Sequence, residues 1–155
     1  MGSLTTCSHQ ACPHGDQFEL WNPFGALDST IDAGSGDDVV SINANANSNN
    51  GWWWGRGTDP ATAKGLANSD VDLGKGNDRL WVSASSSGGN SQATAVENSD
   101  IDTGSGNDSV SINANARSNG GGWWWGGGGS ADAKGLDNSN LDTGAGDDTI
   151  SINTN

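Results

Sequence analysis

The chain has 155 residues and a formal net charge of −13, with only six Lys and Arg. So few cations cannot form a phosphate-binding stripe, which excludes nucleic acid as a partner. Hydrophobic residues make up 32% of the chain, and at this charge such a composition favours disorder unless a thin core is built by stacking repeats.

The acidic residues are almost all aspartate: of 19 Asp and Glu, only Glu19 and Glu97 are Glu. A solvated acidic surface has no reason to avoid Glu. Asp is shorter, accepts turn conformations and bonds to its own backbone. Carboxylates in turns are also common ligands of calcium. The bias therefore indicates turns or cation sites.

The first predicted element is an N-terminal segment, residues 1–23. Its first ten residues are polar, so neither an apolar signal peptide nor a membrane-inserted segment is predicted. Four potential metal ligands lie in its stretch CSHQACPH: Cys7, His9, Cys12 and His14. Two hypotheses stay open for them, a disulfide within or between subunits and a zinc or copper site.

Four blocks of 18 residues follow and align without gaps: Phe24–Ser41, Lys64–Trp81, Thr94–Ser111 and Lys134–Ser151. Each block is two nonapeptides in tandem. The second nonapeptide has the form x-G-x-G-[DN]-D-x-[VLI]-x, as in TGSGNDSVS. The first is a degenerate copy with serine at the aspartate position: Ser29, Ser69, Ser99 and Ser139.

The second nonapeptides resemble the repeats-in-toxin (RTX) nonapeptide G-G-x-G-x-D-x-U-x, in which U is aliphatic and which builds a calcium-binding parallel β-roll. The resemblance implies an all-β fold, a parallel β-solenoid with calcium between successive turns. It implies that Val40, Leu80, Val110 and Ile150 point into the core. The implied calcium-site residues are Gly34, Gly36, Asp38, Gly74, Gly76, Asp78, Gly104, Gly106, Asp108, Gly144, Gly146 and Asp148.

Two departures from the family pattern have consequences. The first glycine of the nonapeptide is replaced by Ala33, Leu73, Thr103 and Thr143, and we expect these side chains to point outward. The first nonapeptides lack the aspartate, so we expect calcium along one edge of the solenoid only.

Insertions of 22, 12 and 22 residues separate the blocks. Apolar and polar residues alternate from Val40 to Asn47, a period of two that predicts a strand with one buried face. The small residues Ala61–Ala63 predict a returning strand. Each long rung thus consists of a calcium turn, an outgoing strand, a distal loop and a returning strand.

The two long distal loops carry tryptophan triplets: Trp52, Trp53, Trp54, Trp123, Trp124 and Trp125. In an extended run only alternate residues face the same side, so three adjacent tryptophans cannot all be buried equally. Burial within the assembly and contact with an extracellular polysaccharide both stay open as their role.

Both ends of the four-rung unit, residues 24–155, are predicted to be open. The fourth block is followed only by the start of its strand, and segment 1–23 carries the apolar residues Phe18, Leu20 and Trp21. That segment either caps its own chain or completes the open rung of a neighbour. If the segment completes the rung of a neighbour, copies add head-to-tail. Without rotational closure, such addition gives a fibre.

The sequence therefore predicts an extracellular, calcium-stabilised structural protein that assembles with itself into a fibre or a surface matrix such as that of a biofilm. Export is expected to need no N-terminal signal. The alternative is a calcium-dependent carbohydrate-binding or adhesion module that uses the tryptophan loops. No enzymatic activity is expected, because the turns account for the aspartates and both histidines lie in the N-terminal segment.

Overall fold

The structure, a computed structural model, describes residues 17–22, 24–48, 60–118 and 129–155. Every regular element in these ranges is a β-strand, so the predicted all-β class is confirmed. None of these residues belongs to a helix that is long and apolar enough to cross a membrane. The strands are β1 (Gln17–Asn22), β2 (Phe24–Leu27), β3 (Thr30–Asp32), β4 (Val39–Asn47), β5 (Pro60–Ala67), β6 (Asp70–Asp72), β7 (Arg79–Gly88), β8 (Asn90–Glu97), β9 (Asp100–Asp102), β10 (Ser109–Ser118), β11 (Ala131–Asp137), β12 (Asn140–Asp142) and β13 (Thr149–Thr154).

These strands form three sheets in which all pairing is parallel. Sheet A has five strands in the order β1-β4-β7-β10-β13. Sheet B has four in the order β2-β5-β8-β11, and sheet C has four in the order β3-β6-β9-β12. The chain visits A, B and C in turn and returns to A one strand further along. We call each such set of three strands a tier.

The register between tiers follows the sequence repeat. Phe24 pairs with Lys64, Lys64 with Thr94, and Thr94 with Lys134, which are the first residues of the four blocks. In parallel sheets this register brings equivalent residues of successive blocks into rows across the strands. The gap-free alignment of the blocks is therefore confirmed.

The core is a thin layer of aliphatic side chains from all three sheets. In β4, Val40, Ile42 and Ala44 are buried while Ser41 and Asn43 are partly exposed, as the alternation predicts. Close approach of the sheets requires glycine at one inward position of sheet B, since a Cβ on Gly65 would lie 2.7 Å from Cγ1 of Val82. This layer is too thin for one tier to be stable alone, so stability depends on stacking.

One expectation about the core was wrong. The residues at the first glycine position of the nonapeptide were expected to point outward, but Leu73 and Thr103 are both fully buried, and Ala33 packs against the core. They follow sheet C, where Val71 is also buried and Asp72 is exposed. The alternation of buried and exposed side chains thus continues one residue past the end of the strand, so that the side chain at the first glycine position points inward.

The N-terminal segment contributes a strand to the fold of its own chain. Strand β1 pairs in parallel with β4, with Phe18 opposite Val40 and Leu20 opposite Ile42. It therefore stands in sheet A at the position of an outgoing strand, next to β4 and in the same tier as β2 and β3.

The far end of the stack is apolar and exposed. Ile150 and Ile152 of β13 are 49% and 45% exposed, whereas their neighbours Val110 and Ile112 in β10 are 1% and 0% exposed. These isoleucines occupy the inward rows of sheet A, so the core of the stack reaches the surface there.

Candidate metal centre at the glycine turns

Each tier passes from sheet C back to sheet A through a turn of the form G-x-G-[DN]-D. The two glycines of the second turn have φ of +85° at Gly74 and +149° at Gly76, in the region that side chains disfavour. A Cβ on Gly76 would also lie 1.8 Å from the carbonyl oxygen of Gly36 in the turn before it. Glycine is required here both by the backbone angle and by the closeness of the next turn.

The turns stack directly on one another. Their middle residues Ser35, Lys75, Ser105 and Ala145 form parallel bridges in that order. Between the first two turns, the Gly36 N–H donates to the Lys75 carbonyl at 2.7 Å, and the Lys75 N–H donates to the Gly34 carbonyl at 3.1 Å. The later turns repeat this pattern, so the predicted glycines are brought together along one edge of the stack.

The aspartates that end these turns form a ladder on the inside of the stack. Asp38, Asp78 and Asp108 are only 3%, 1% and 2% exposed. The backbone N–H of each donates to Oδ1 of the aspartate in the next tier, at 2.8 Å to Asp78, 2.8 Å to Asp108 and 2.9 Å to Asp148. Equivalent carboxyl groups of neighbouring tiers thus follow the strand spacing of about 4.8 Å.

The second carboxyl oxygen in the middle of this ladder is not satisfied. Oδ2 of Asp78 and Oδ2 of Asp108 are buried, and neither has a hydrogen-bond partner within the residues that the structure describes. Burial raises the pKa of Asp78 to about 6; the N–H from Asp38 opposes this shift, and the charges of Asp108 and Asp38 add to it. Buried oxygens of this kind require a proton or a cation.

Calcium fits these donors. It binds six to eight oxygens from carboxylates and main-chain carbonyls at flexible geometry. The ladder supplies carboxylate oxygens, and the carbonyls of Gly36, Gly76 and Gly106 point at the glycine of the following turn, where a Cβ would meet them at 1.8, 1.6 and 1.6 Å. Glycine thus lets the backbone carbonyls of successive turns approach this closely beside the row of aspartates.

The ladder offers one acidic side chain per tier. Accordingly, no three His, Cys, Asp or Glu side chains are gathered as a ready metal cluster anywhere in the described ranges. A calcium ion at this edge would depend on two successive aspartates and on carbonyl oxygens for the remaining ligands.

The corner between sheets B and C is built differently. Asp28, Asn68, Asn98 and Asn138 take up positive φ of 46–50° there. The hydroxyl of the serine after each of them donates to the carbonyl two residues before it, as Ser99 Oγ does to Glu97 at 2.7 Å. The last three of these serines also accept the N–H of the serine in the preceding tier, as Ser99 Oγ does from Ser69 at 3.1 Å. This corner is held by a serine ladder that needs no carboxylate.

The serine ladder was not anticipated from the sequence, although a signal was present. An Asn-Ser or Asp-Ser pair occupies the fifth and sixth positions of every first nonapeptide. Hydroxyl-to-backbone bonds of this type favour tight corners.

A second acidic surface was also missed. The first and third residues of each sheet C strand point outward and form two rows across the strands. The exposed aspartates in these rows are Asp32, Asp70, Asp72, Asp100, Asp102 and Asp142. The two ion pairs formed by described residues lie elsewhere, Lys64 with Glu97 and Lys134 with Asp137. These rows make the outer face of sheet C strongly negative.

The remaining predicted sites lie outside the described residues: Cys7, His9, Cys12, His14 and both tryptophan triplets. Their roles stay predictions. Comparison with known proteins gives no match: no protein-family model, no curated protein and no solved structure is similar to this chain.

Proposed function

We propose that the chain is an extracellular structural protein of the RTX β-roll kind. It is a parallel β-solenoid whose glycine turns bind calcium and whose copies assemble head-to-tail into a fibre or matrix. One observation carries the proposal: the ladder of buried aspartates, in which Asp78 and Asp108 each leave a carboxyl oxygen without a hydrogen-bond partner among the described residues.

Calcium would be held along the edge formed by Asp38, Asp78, Asp108 and Asp148 with the glycine carbonyls beside them. Bound there, the ion supplies positive charge that the buried carboxylates otherwise lack. The sequence offers no substitute for it, since the chain has only six Lys and Arg, and Lys75 in the second turn is exposed to solvent. Calcium ligation is therefore coupled to folding.

This coupling is the reason for placing the protein outside the cell. Extracellular modules use calcium at affinities of roughly 10⁻⁴–10⁻³ M, which cytosolic calcium does not reach. At low calcium the net charge of −13 opposes a compact state. The chain would be only marginally stable at low calcium, and extracellular calcium would complete and stabilise its fold.

Self-association is supported by the exposed end of the stack. Strand β13 leaves Ile150 and Ile152 about half exposed and presents a strand edge on the side away from β10. Unpaired strand edges with apolar residues are templates for addition of another chain. Catalysis has no part in this proposal.

A carbohydrate-binding module is the second candidate function. One described residue favours it: Trp81 on the outer face of sheet A is 53% exposed and lies between Ser41 and Ser111 in register. An exposed indole between small polar residues is a suitable platform for a sugar ring. Retention on insoluble polysaccharide that disappears in Trp81→Ala or Trp124→Ala would support this function over the structural one.

The test uses far-UV circular dichroism and electron microscopy of the chelated protein before and after calcium is added. We expect a gain of β-structure and then filaments at millimolar calcium, with magnesium as the control ion because it demands octahedral geometry and keeps its waters. Unchanged spectra on calcium addition would overturn the calcium claim. Calcium-folded protein that stays monomeric at high concentration would overturn the fibre.

A further inference from the structure

Strand β7 departs from the repeat at two positions on the outer face of sheet A. The other three repeat strands of this sheet, β4, β10 and β13, have small or medium-sized uncharged residues there: Val39, Ser109 and Thr149 at the first position, and Ser41, Ser111 and Ser151 at the second. Strand β7 instead has Arg79 and Trp81. These are successive outward residues of one strand, about 7 Å apart. The repeat rule is therefore broken twice at one place on the surface.

Neither side chain is used by the described part of the stack. Trp81 is 53% exposed, and Arg79 is also exposed. The two ion pairs formed by described residues use Lys64 and Lys134, so the Arg79 guanidinium has no ion-pair partner in the ranges that the structure describes. Exposed aromatic surface beside an unpaired cation is typical of a binding site rather than of a core.

The surroundings of this pair suit an anion. Strands β4, β7, β10 and β13 contain no Asp or Glu. In β1, Glu19 lies in the row of Trp81 but two strands away, at about 10 Å. The residue two positions before Arg79 is Asn77, and its neighbour in the next tier is Asn107, whereas the first and last turns have aspartate at this position. This part of sheet A thus contrasts with the acidic outer face of sheet C.

We propose that Arg79 and Trp81 bind a sugar of an acidic polysaccharide, a hexuronic acid whose ring stacks on the indole and whose carboxylate pairs with the guanidinium. The inference rests on the carbohydrate-binding candidate function and names its class of ligand; it does not require fibre formation. The apolar face of a sugar ring packs well on an indole. The carboxylate lies at the edge of the ring, where the guanidinium can donate to both of its oxygens.

Two Asn-Ser pairs flank the indole and would orient the sugar. Ser41 and Ser111 are the register neighbours of Trp81 on its two sides. Asn43 Nδ2 donates to Ser41 Oγ at 3.1 Å, and Asn113 Nδ2 donates to Ser111 Oγ at 3.2 Å. Because each serine oxygen accepts from an amide, its O–H can donate to a sugar hydroxyl. The site therefore offers hydrogen bonds on both sides of the stacked ring.

A second cation on the same face provides a matched control. Arg117 is exposed and is in register with Ser87. Ser87 is six residues beyond Trp81 on β7, a distance of about 20 Å along the strand. A disaccharide stacked on Trp81 would not reach it. Arg117→Gln thus makes the same change in net charge as Arg79→Gln without touching the site.

The test is an NMR titration of isotope-labelled, calcium-saturated protein that follows the Trp81 indole N–H. The probes are dimers of glucuronic, mannuronic and galacturonic acid, which are too short for calcium to crosslink into a gel. The methyl ester of each dimer keeps the ring and removes the charge. We expect at least one acid to bind about fivefold more tightly than its ester, with an affinity that falls as salt is added.

Variants assign this preference to the guanidinium. Arg79→Gln should abolish the difference between acid and ester, and Arg117→Gln should keep it. Arg79→Lys retains the charge without the planar fork and should give an intermediate difference. An equal loss in Arg79→Gln and Arg117→Gln would mean that net charge attracts the sugar, which would overturn the assignment of the site.

The remaining outcomes separate this inference from the function on which it rests. Acids and esters that bind equally would overturn the preference for uronic acid and leave the carbohydrate-binding candidate standing. If no dimer shifts the Trp81 resonance, the site is wrong, and if the protein is also not retained on insoluble polysaccharide, that candidate function fails with it. Tighter binding of a sulfated disaccharide without carboxylates would overturn the choice of uronic acid. Filaments that separate laterally in Trp81→Ala, with no dimer bound by the parent protein, would identify a contact between copies instead.

Discussion

The backbone N–H of Asp78 donates to Oδ1 of Asp108 at 2.8 Å, although both residues are at least 98% buried. This bond engages Oδ1 of Asp108, and Oδ1 of Asp78 accepts the Asp38 N–H in the same way. Oδ2 of each residue has no hydrogen-bond partner among the described residues. A buried carboxyl group in this state is stable only when protonated or bound to a cation. The fold therefore has two ways to satisfy its ladder, and pH and calcium should compensate for each other.

Metal-free protein should become less stable as the pH rises. The pKa of Asp78 is raised from 3.8 to about 6 in the fold, chiefly by burial. The folded state therefore holds its proton more tightly than the unfolded state. That stability is fully present below pH 3.8 and is lost as the pH passes through about 6, a loss of about 3 kcal/mol. Urea unfolding in chelator between pH 4 and pH 7 measures it.

Asp78→Asn should remove most of this dependence, because the amide keeps the shape of the side chain without a charge. The variant should be more stable than the parent at pH 7 in chelator and should gain less from calcium. Asp72→Asn, an exposed aspartate of sheet C, is the matched control and should leave both properties nearly unchanged. Equal behaviour of the two variants would contradict the assignment of the site.

Much of this fold was predictable because the blocks repeat. Once Phe24, Lys64, Thr94 and Lys134 are aligned, stacking one block on the next determines the register. The period of two then places Asp38 on the same face as Val40, and both are buried. Thus the position of the candidate site in the fold followed from local pattern and spacing.

Three features of the fold were not predicted from the sequence. Pairing of β1 with β4 joins a non-repeated segment to a repeated one, and nothing local in QFELWN indicates its partner. Burial of Leu73 was missed because the RTX pattern has glycine there, which carries no side chain to place. The serine ladder joins residues 30 or 40 positions apart, which only the stacked tiers bring together.

Gly76→Ala should destabilise the fold by more than about 2 kcal/mol, both through its positive φ and through collision with the turn before it. The added Cβ would lie 1.8 Å from the Gly36 carbonyl oxygen, so the stack of turns must open. Ser105→Ala in the next turn, where the side chain is exposed, should have almost no effect. Thermal unfolding in saturating calcium compares the two, and similar midpoints would show that the turns are not closely stacked.

Ile112→Ala and Ile152→Ala change the same row of sheet A at different depths. Ile112 is 0% exposed and Ile152 is 45% exposed. The first should cost about 2–5 kcal/mol of folding stability and the second less than about half of that in the monomer. If a neighbour covers β13, Ile152→Ala should instead raise the concentration needed for filament formation, measured by light scattering. An unchanged critical concentration would argue against an assembly contact at β13.

Ser99→Ala tests the serine ladder at the corner between sheets B and C. Ser99 Oγ accepts the Ser69 N–H at 3.1 Å and donates to the Glu97 carbonyl at 2.7 Å. The alanine variant leaves the Ser69 N–H buried without this acceptor, which costs about 1–3 kcal/mol. Because no ionisable group is involved, the loss should be the same at pH 4 and pH 7 and the same with and without calcium. Urea unfolding under these four conditions measures it, and a loss confined to the calcium-bound state would mean that this corner also takes part in metal binding.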